Sequence, residues 1–320
     1  MARFLSEQDV EHLLTMPLAL EAVEQAMAEL ARGEATNLPR DRLRSPETSM
    51  HLLQGLVPSQ GAMGYKVYTV HRGVVRFLLH LYDSRSGRLL GILQAGLLGR
   101  MRTGAASGVA THQLARADAR TLGVFGSGKQ AAAQVEAVCL VRPIATVKVH
   151  ARDRDRLTVF CDALARRLGV DVRPAASARE AVEGSDIVTT ITSSETPVFD
   201  GAWLAEGTHV NAAGSNMLSR RELDETTLGR CELIVTDSRE VARRECGDLL
   251  PMIEKGRIGW GQVAELGDVL IGRAPGRAHD GQITCFESHG LAVQDVAVGA
   301  RLLALAAQRD VGSALPPELE

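Results

Sequence analysis

Thr121–Ala133, T-L-G-V-F-G-S-G-K-Q-A-A-A, is the stretch whose residue types and spacing most directly imply chemistry. An apolar run, Leu122 to Phe125, ends at Gly126-Ser127-Gly128, and a helix-favouring run with three alanines, Ala131 to Ala133, follows. Strand, glycine turn and helix together lay a pyrophosphate on a helix N-terminus, where backbone N–H groups face the anion. Gly126 then makes the tight turn, Gly128 lets the backbone approach the phosphates, and Ala131 keeps helix and strand close. The same letters fit the front of a phosphate loop, Gly123 to Lys129 as G-x-x-x-x-G-K. Gln130 stands where that loop needs Ser or Thr to hold magnesium, so nucleotide hydrolysis lacks its metal ligand. A glycine turn that binds nothing is the third reading, and the surrounding elements decide among the three.

From the loop onward strands and helices alternate. Thr146–His150 reads as a strand, Asp153–Leu168 as a helix, Val170–Val172 as a strand and Ser177–Val182 as a helix; Ile187–Thr190 and His209–Ala212 are further strands. Such alternation predicts a parallel, doubly wound sheet and favours the dinucleotide reading. The first hundred residues have another pattern. Ser6 caps a short helix with Asp9 three residues on, and Pro17–Ala31 is an amphipathic helix. N-L-P-R-D-R-L-R-S-P-E-T-S follows as a turn-rich stretch holding Arg40, Arg42 and Arg44. Four alternating runs, Met50–Val57, Gly64–Val70, Val75–Tyr82 and Leu89–Leu93, then predict an antiparallel meander. Leu97–Leu114 is helical and carries Arg102, and Leu291–Gln308 is an apolar helix expected to return to this first domain. The fold class is therefore α/β: a Rossmann sheet plus a second α+β lobe.

Composition bounds the function. The 320 residues suffice for two domains, and 45% are hydrophobic. Net charge is −3 with both signs interspersed. No basic run or arginine-rich face points to nucleic acid, and no apolar run reaches membrane length. The opening M-A-R-F-L-S-E-Q-D-V carries no secretory pattern. The five cysteines (139, 161, 231, 246, 285) are scattered without paired metal spacing. They read as reduced thiols of a cytoplasmic protein with no metal site.

At this point the residues resemble the ornithine cyclodeaminase/mu-crystallin family over nearly the whole chain. The carriers are M-G-Y-K-V-Y around Lys66, G-R-M-R-T-G-A-A-S around Arg102, G-S-G-K-Q-A, A-V-E-G-S-D-I-V-T-T from Ala181, H-V-N-A-A-G-S-N from His209, A-E-L-G-D-V from Ala264 and S-H-G-L-A-V-Q-D from Ser288. The resemblance implies a homodimer of bilobal chains, with a Rossmann lobe over 116–291 and a dimerisation and substrate lobe made of 1–115 and 292–320. Members of the family reduce cyclic or linear imino acids with NAD(P)H, interconvert alanine and pyruvate, or convert ornithine to proline and ammonia. Carried over by position, Lys66 contacts the substrate carboxylate and nitrogen and is a candidate proton donor. Arg102 clamps the α-carboxylate, and Arg42 is the second arginine of that clamp, with Arg40 the alternative in a shifted register. Guanidinium forks bind planar carboxylates bidentately, which orients the prochiral carbon for hydride transfer.

Cofactor contacts are expected from Gly126, Ser127, Gly128, Lys129 and Gln130, and from Thr190, Thr192, Ala213 and Ser288. Arg76 and Asn216 are further pocket candidates, with His71 and Arg72 nearby; His289 either approaches the nicotinamide or is structural. The preferred cofactor reads as NADPH rather than NADH. An NAD reader places a carboxylate at the tip of the second strand, about 20 residues past the glycine loop. Here Thr146–His150 runs into Ala151-Arg152-Asp153-Arg154. Arg152 can take the 2′-phosphate, Asp153 caps the next helix, and Arg154 and Arg156 read as solvated.

Two departures separate the chain from ornithine users. Their glutamate is missing from Gln54-Gly55-Leu56, and their aspartate is Asn216 here. An amide cannot supply the charge that binds a distal ammonium. The expected activity is thus NAD(P)H-dependent reduction of the C=N bond of a small 2-imino acid, with ornithine cyclodeamination or a mu-crystallin-like binding role as alternatives.

Overall fold

The structure is a computed structural model that describes residues 1–319. The chain forms two compact units, Met1–Arg102 with the chain from Leu291 onward, and Thr103–Gly290. The sequence reading placed these boundaries after 115 and 291; the first falls instead inside a helix. Glu320, the last residue of the expected C-terminal segment, lies outside the described residues.

The first unit begins with β1 (Arg3–Leu5), α1 (Glu7–Leu13) and α2 (Met16–Arg32). Ser6 and Asp9 form the expected capping box, and Thr15 caps α2 with Pro17 in its first turn. Then come β2 (Thr36–Asn37), β3 (Asp41–Arg44), β4 (Thr48–Val57), β5 (Ala62–His71), β6 (Val74–Asp83), β7 (Leu89–Gln94) and α3 (Gly96–Leu114). Strands β4 to β7 are the predicted meander, and β1 adds to β7 in parallel. The stretch read as turn-rich holds a strand: β3 pairs with β4, Arg42 opposite His51 and Arg44 opposite Ser49. Alternation of Arg42, Leu43 and Arg44 has the period of two that a strand requires; the flanking prolines concealed it.

The second unit comprises β8 (Thr121–Phe125), α4 (Ala131–Val141), β9 (Thr146–His150), α5 (Arg154–Leu168), β10 (Asp171–Pro174), α6 (Ala178–Val182), β11 (Ile187–Thr190), β12 (His209–Ala212), α7 (Glu225–Arg230), β13 (Leu233–Thr236), α8 (Arg239–Glu245), α9 (Leu250–Glu254), β14 (Val263–Glu265), α10 (Leu266–Leu270) and β15 (Thr284–Glu287). Its eight strands run parallel in the order β10-β9-β8-β11-β12-β15-β13-β14. The order turns back between β8 and β11, the switch point of a doubly wound sheet, where ligands bind at strand C-terminal ends. The expected Rossmann fold is thus present, with β13, β14 and β15 beyond the strands anticipated.

The chain then returns to the first unit as α11 (Ala292–Arg309) and β16 (Ser313–Ala314), which pairs with β1. Helix α11 packs on α2 and on β4, β5 and β6. Its close approach demands glycine beneath it: a Cβ at Gly55 would come 2.9 Å from Val293 N.

Candidate active site

Cross-strand pairs share one face of a sheet. Leu53, Lys66 and Leu79 form one row across β4, β5 and β6, on the face that α11 covers. Lys66 Nζ donates to both carboxylate oxygens of Asp295, at 2.8 and 2.7 Å. Arg102 Nε donates to the same carboxylate at 3.1 Å, and its Nη1 donates to Gln294 Oε1 at 3.0 Å. The carboxylate is fully buried, and the two cations nearly so. Together the three side chains carry one net positive charge. Burial pushes the Lys66 ammonium down to about 7; the Arg102 charge acts in the same direction, Asp295 opposes it, and Arg40 lowers it further. Lys66 is therefore poised to hold or release a proton near neutrality. Asp295 carried no role in the sequence reading. Its signal was an acid amid the apolar stripe of the last helix.

The loop arginines are not equivalent. Arg40, just ahead of β3, is buried and near enough for its charge to act on Lys66. Arg42 stands one row further on, opposite His51. Arg42 thus faces the same side of the sheet as Lys66, and Arg40 acts on Lys66 through its charge. Arg76 is not brought to this site: it pairs with Thr69, so it lies on the opposite face from Lys66 and is exposed. His71 shares that outer face and contacts Thr48 Oγ1 at 3.0 Å. Arg72 occupies the β5–β6 turn at φ 47°, exposed and beside Glu47. Period-two alternation across the β4–β5–β6 register accounts for Arg76 and His71, and Arg72 lies beyond the end of the β5 ladder.

The second unit holds a cavity of about 610 Å³ at the ends of β8, β9 and β11. Gly126, Ser127, Gly128 and Gln130 line one side, and Thr192 and Gly214 line another. Gly126 sits at φ +110°, a conformation side chains avoid, and its missing Cβ would come 2.6 Å from Ile191 O. A Cβ at Gly128 would meet nothing within 4 Å, so this glycine opens onto free space. The loop, cavity and α4 N-terminus fit a dinucleotide pyrophosphate. At the far end stand His150, Ala151, Arg152, Asp153 and Arg156. Asp153 caps α5, accepting from Arg156 N at 3.1 Å. Arg154 reaches the carbonyls of Ala175 and Ala176. Arg156 is solvated as expected, at the cavity rim, with its Nε 3.4 Å from Asp153 Oδ2.

Several of the expected site residues do not line this cavity. Lys129 is exposed and outside the cavity lining, because the turn directs it to solvent. Ala213 packs in the core beside Val124 and Ile191. Ser288 is buried, its N–H spent on Ala212 O at 2.9 Å. Thr190 does not line the cavity, but donates from Oγ1 to Glu222 at 2.9 Å. Asn216 lies half-buried after β12. His289 is buried against Asp237, which also accepts from its N–H at 2.8 Å.

Glu222 is the residue that sequence reasoning missed here. Its carboxyl accepts from Thr190 Oγ1, from Thr192 N at 2.6 Å and from Gly214 N at 2.8 Å, tying together the two segments that line the cavity. Burial raises it to about 7; Asp248 pushes the same way, while the bonds from Thr190 and Thr192 oppose.

Residues 2–304 match the family described as ornithine cyclodeaminase/mu-crystallin. The chain belongs to that family. A solved pyrroline-2-carboxylate reductase of Thermococcus litoralis, in complex with NADH and L-proline, is 33% identical. It superimposes with a TM-score of 0.93 over 98% of this chain and 100% of its own. An archaeal alanine dehydrogenase dimer with bound NAD is 32% identical at a TM-score of 0.93, covering 99% of each chain. The iminosuccinate reductase of Paracoccus denitrificans, bound to NAD+, is 27% identical at 0.92, covering 98% of this chain and 99% of its own.

Two outcomes follow for this family member. In Asp295→Asn the upward influence on Lys66 is gone, while burial, Arg102 and Arg40 still lower it. With Lys66 lowered to about 7 in the native protein, the alkaline limb of kcat/KM for reduction should move to lower pH in the variant, about tenfold in rate per unit at fixed pH; an unmoved limb contradicts the coupling. For Glu222, protonation turns one acceptor oxygen into a donor facing N–H groups. Cofactor Kd should rise as pH falls through about 7, and Glu222→Gln should bind more weakly with that dependence lost. Fluorescence titration with the reduced cofactor across this range decides it.

Proposed function

We propose that the protein reduces the C=N bond of a small 2-imino acid with NADPH, as a cytoplasmic homodimer. The observation that carries the reaction type is the buried cluster of Lys66, Arg102 and Asp295. An ammonium has three donors; two of Lys66's go to Asp295, which leaves the third for a substrate nitrogen. Arg102, with Arg42 or Arg40 from the β3 segment, supplies guanidinium for the α-carboxylate. A reduced nicotinamide, held by the glycine loop, supplies a hydride to C2 when bound. Lys66 supplies the proton that the nitrogen gains, and the fixed Asp295 carboxylate steadies the ammonium before transfer. Ornithine chemistry is disfavoured, since α11 leaves no room for a side chain at Gly55 and Asn216 is neutral. A screen of 2-oxo acids with ammonia or methylamine, and of cyclic imines, followed by NADPH absorbance, tests the reading. Lys66→Ala should remain folded and bind cofactor while losing at least about tenfold in kcat/KM.

Arg152 in the cavity lining supports NADPH, because the nearby carboxylate of Asp153 is engaged as a helix cap and with Arg156 at 3.4 Å. The similar structures hold NADH or NAD, so the case for NADPH rests on this chain's own residues. The native protein should prefer NADPH, and Arg152→Ala should weaken NADPH far more than NADH in kcat/KM. A native preference for NADH, or equal losses, removes Arg152 from the role and makes Asp153 the ribose reader.

Self-association is supported by the outer face of β4–β6. Leu38, Leu52, Leu56, Met63, Tyr65 and Tyr82 line a cavity of about 610 Å³ there, and Met50 and Leu78 are exposed on the same face. An uncovered apolar face of this kind suits a twofold contact. Light scattering should report a dimer at micromolar concentration and a monomer for Met63→Glu; a native monomer contradicts the assignment.

A further inference from the structure

The second unit holds a buried group of metal-type donors that the proposed reduction does not use. Glu287 is the last residue of β15, His289 follows two residues on, and Cys246 closes α8. The Cys246 sulfur, a Glu287 carboxylate oxygen and a His289 ring nitrogen lie within 4.8 Å of one another, and all three residues are buried. Among the described residues, the Glu287 carboxylate accepts hydrogen bonds only from thiols, Cys246 Sγ at 3.7 Å and Cys285 Sγ at 4.0 Å. Asp237 backs the histidine. Its Oδ2 accepts from His289 N and Gly290 N at 2.8 and 2.7 Å. Its Oδ1, buried and without a well-formed hydrogen bond, lies 3.4 Å from His289 Nδ1. The cysteine spacing carried no metal signal because 41 residues separate Cys246 from Glu287.

The region gathers acidic groups in a dry interior. Burial, then the charges of Asp248 and Glu222, push the Glu287 carboxyl well up, and burial, then Glu287 and Asp248, push up the Cys246 thiol. Such groups must be neutralised, by protons or by a metal ion. The donor set matches a metal of one kind: thiolate, imidazole and carboxylate are the ligands of zinc, whereas calcium and magnesium take oxygen alone. A divalent ion facing one thiolate and one carboxylate also leaves the interior without net charge. We propose that Cys246, Glu287 and His289 bind a zinc ion, with water in the fourth tetrahedral position and Asp237 orienting the histidine. Metal-bound histidines commonly hold their other ring nitrogen against such a carboxylate. On binding, the metal forms bonds to sulfur, oxygen and nitrogen, and the Cys246 S–H and Glu287 O–H protons pass to solvent. The ion ties the end of α8 to the end of β15. Asp248, two residues past Cys246, holds the N–H groups of Glu222 and Leu223, so the same tie steadies the wall of the cofactor cavity. The inference is independent of the imine-reductase reading, since no step of the reduction runs through the ion.

The test uses the full-length chain, expressed in zinc-supplemented medium and dialysed free of loosely held metal. Elemental analysis should find about one zinc per chain. Free zinc at about a hundred times its Kd should raise Tm by roughly 5–10 °C over the chelator-treated chain. Cobalt(II) in place of zinc should give the intense visible bands of tetrahedral coordination and a thiolate-to-metal charge-transfer band in the near ultraviolet. Cys246→Ser should abolish the charge-transfer band. Cys246→Ser and His289→Gln should each weaken zinc binding by at least about tenfold, while Cys139→Ser, at a thiol in the other core cluster of the unit, keeps both metal and band. Circular dichroism confirms that each variant is folded, and the native cobalt spectrum decides without any variant. A native chain that holds no metal after supplementation overturns the proposal and leaves protons as the neutralising charge. A cobalt spectrum without the thiolate band, or zinc retained in full by Cys246→Ser, overturns it by placing the metal elsewhere.

Discussion

One buried carboxylate, Asp295, holds two cations delivered by different elements: Lys66 from β5 and Arg102 from α3. Removing charges from water is costly, and a buried pair is tolerated only when geometry and further hydrogen bonds compensate. Here one acceptor serves both donors, so the loss of Asp295 would strand two positive charges in a dry interior. This requirement sets the register of β5 beneath α11. It forces the sheet's period-two alternation to place Lys66 inward and Tyr65 and Met63 outward. It also explains why Gly55 and the neighbouring small residues of α11 must allow close approach, since the carboxylate reaches Nζ only if helix and sheet are in contact.

The second unit uses a carboxyl in a comparable way. Glu222 gathers a hydroxyl and two backbone N–H groups, and so converts two strand-end segments into a fixed wall. Asp248 stands behind it, its Oδ1 accepting from the N–H groups of Glu222 and Leu223 at 2.6 and 2.7 Å. In both units burial moves a titratable hub toward neutrality, an ammonium downward and a carboxyl upward. The opposite signs follow from one cause, since a low dielectric disfavours whichever form is charged.

Much of the fold was legible because the patterns were local. The glycine loop after Phe125, the alternation of strands and helices that follows, and the four runs of the meander each carry their signal within a few residues. Strand β3 was hidden by its proline flanks. The site was legible only in part. Lys66 and Arg102 stood out through family-like flanks, but their common partner lies in the last helix, and no local pattern joins residues so distant. The place of Arg42 on the Lys66 face follows from the β3 register, which a sequence offers only once the strand is recognised. Arg76 and His71 were misplaced for the same reason: proximity along a hairpin does not say which face a side chain takes. Glu222 left no signal, as its role depends on two loops converging in space.

The separation of 229 residues between Lys66 and Asp295 has a consequence for how the molecule is made. On the ribosome the N-terminal sheet emerges with its inward lysine and arginine long before their carboxylate exists. The Thr103–Gly290 unit is contiguous, so all of its residues have been synthesised before α11 is. Domains generally fold as units during synthesis, and here the contiguous middle unit is fully synthesised before the first unit has its last helix. Until α11 arrives, the apolar face of the meander is bare and two cations lack their partner. The nascent first unit is therefore the stage at which chaperones have most to protect, and truncation within the last thirty or so residues would remove the keystone of a domain begun at residue one.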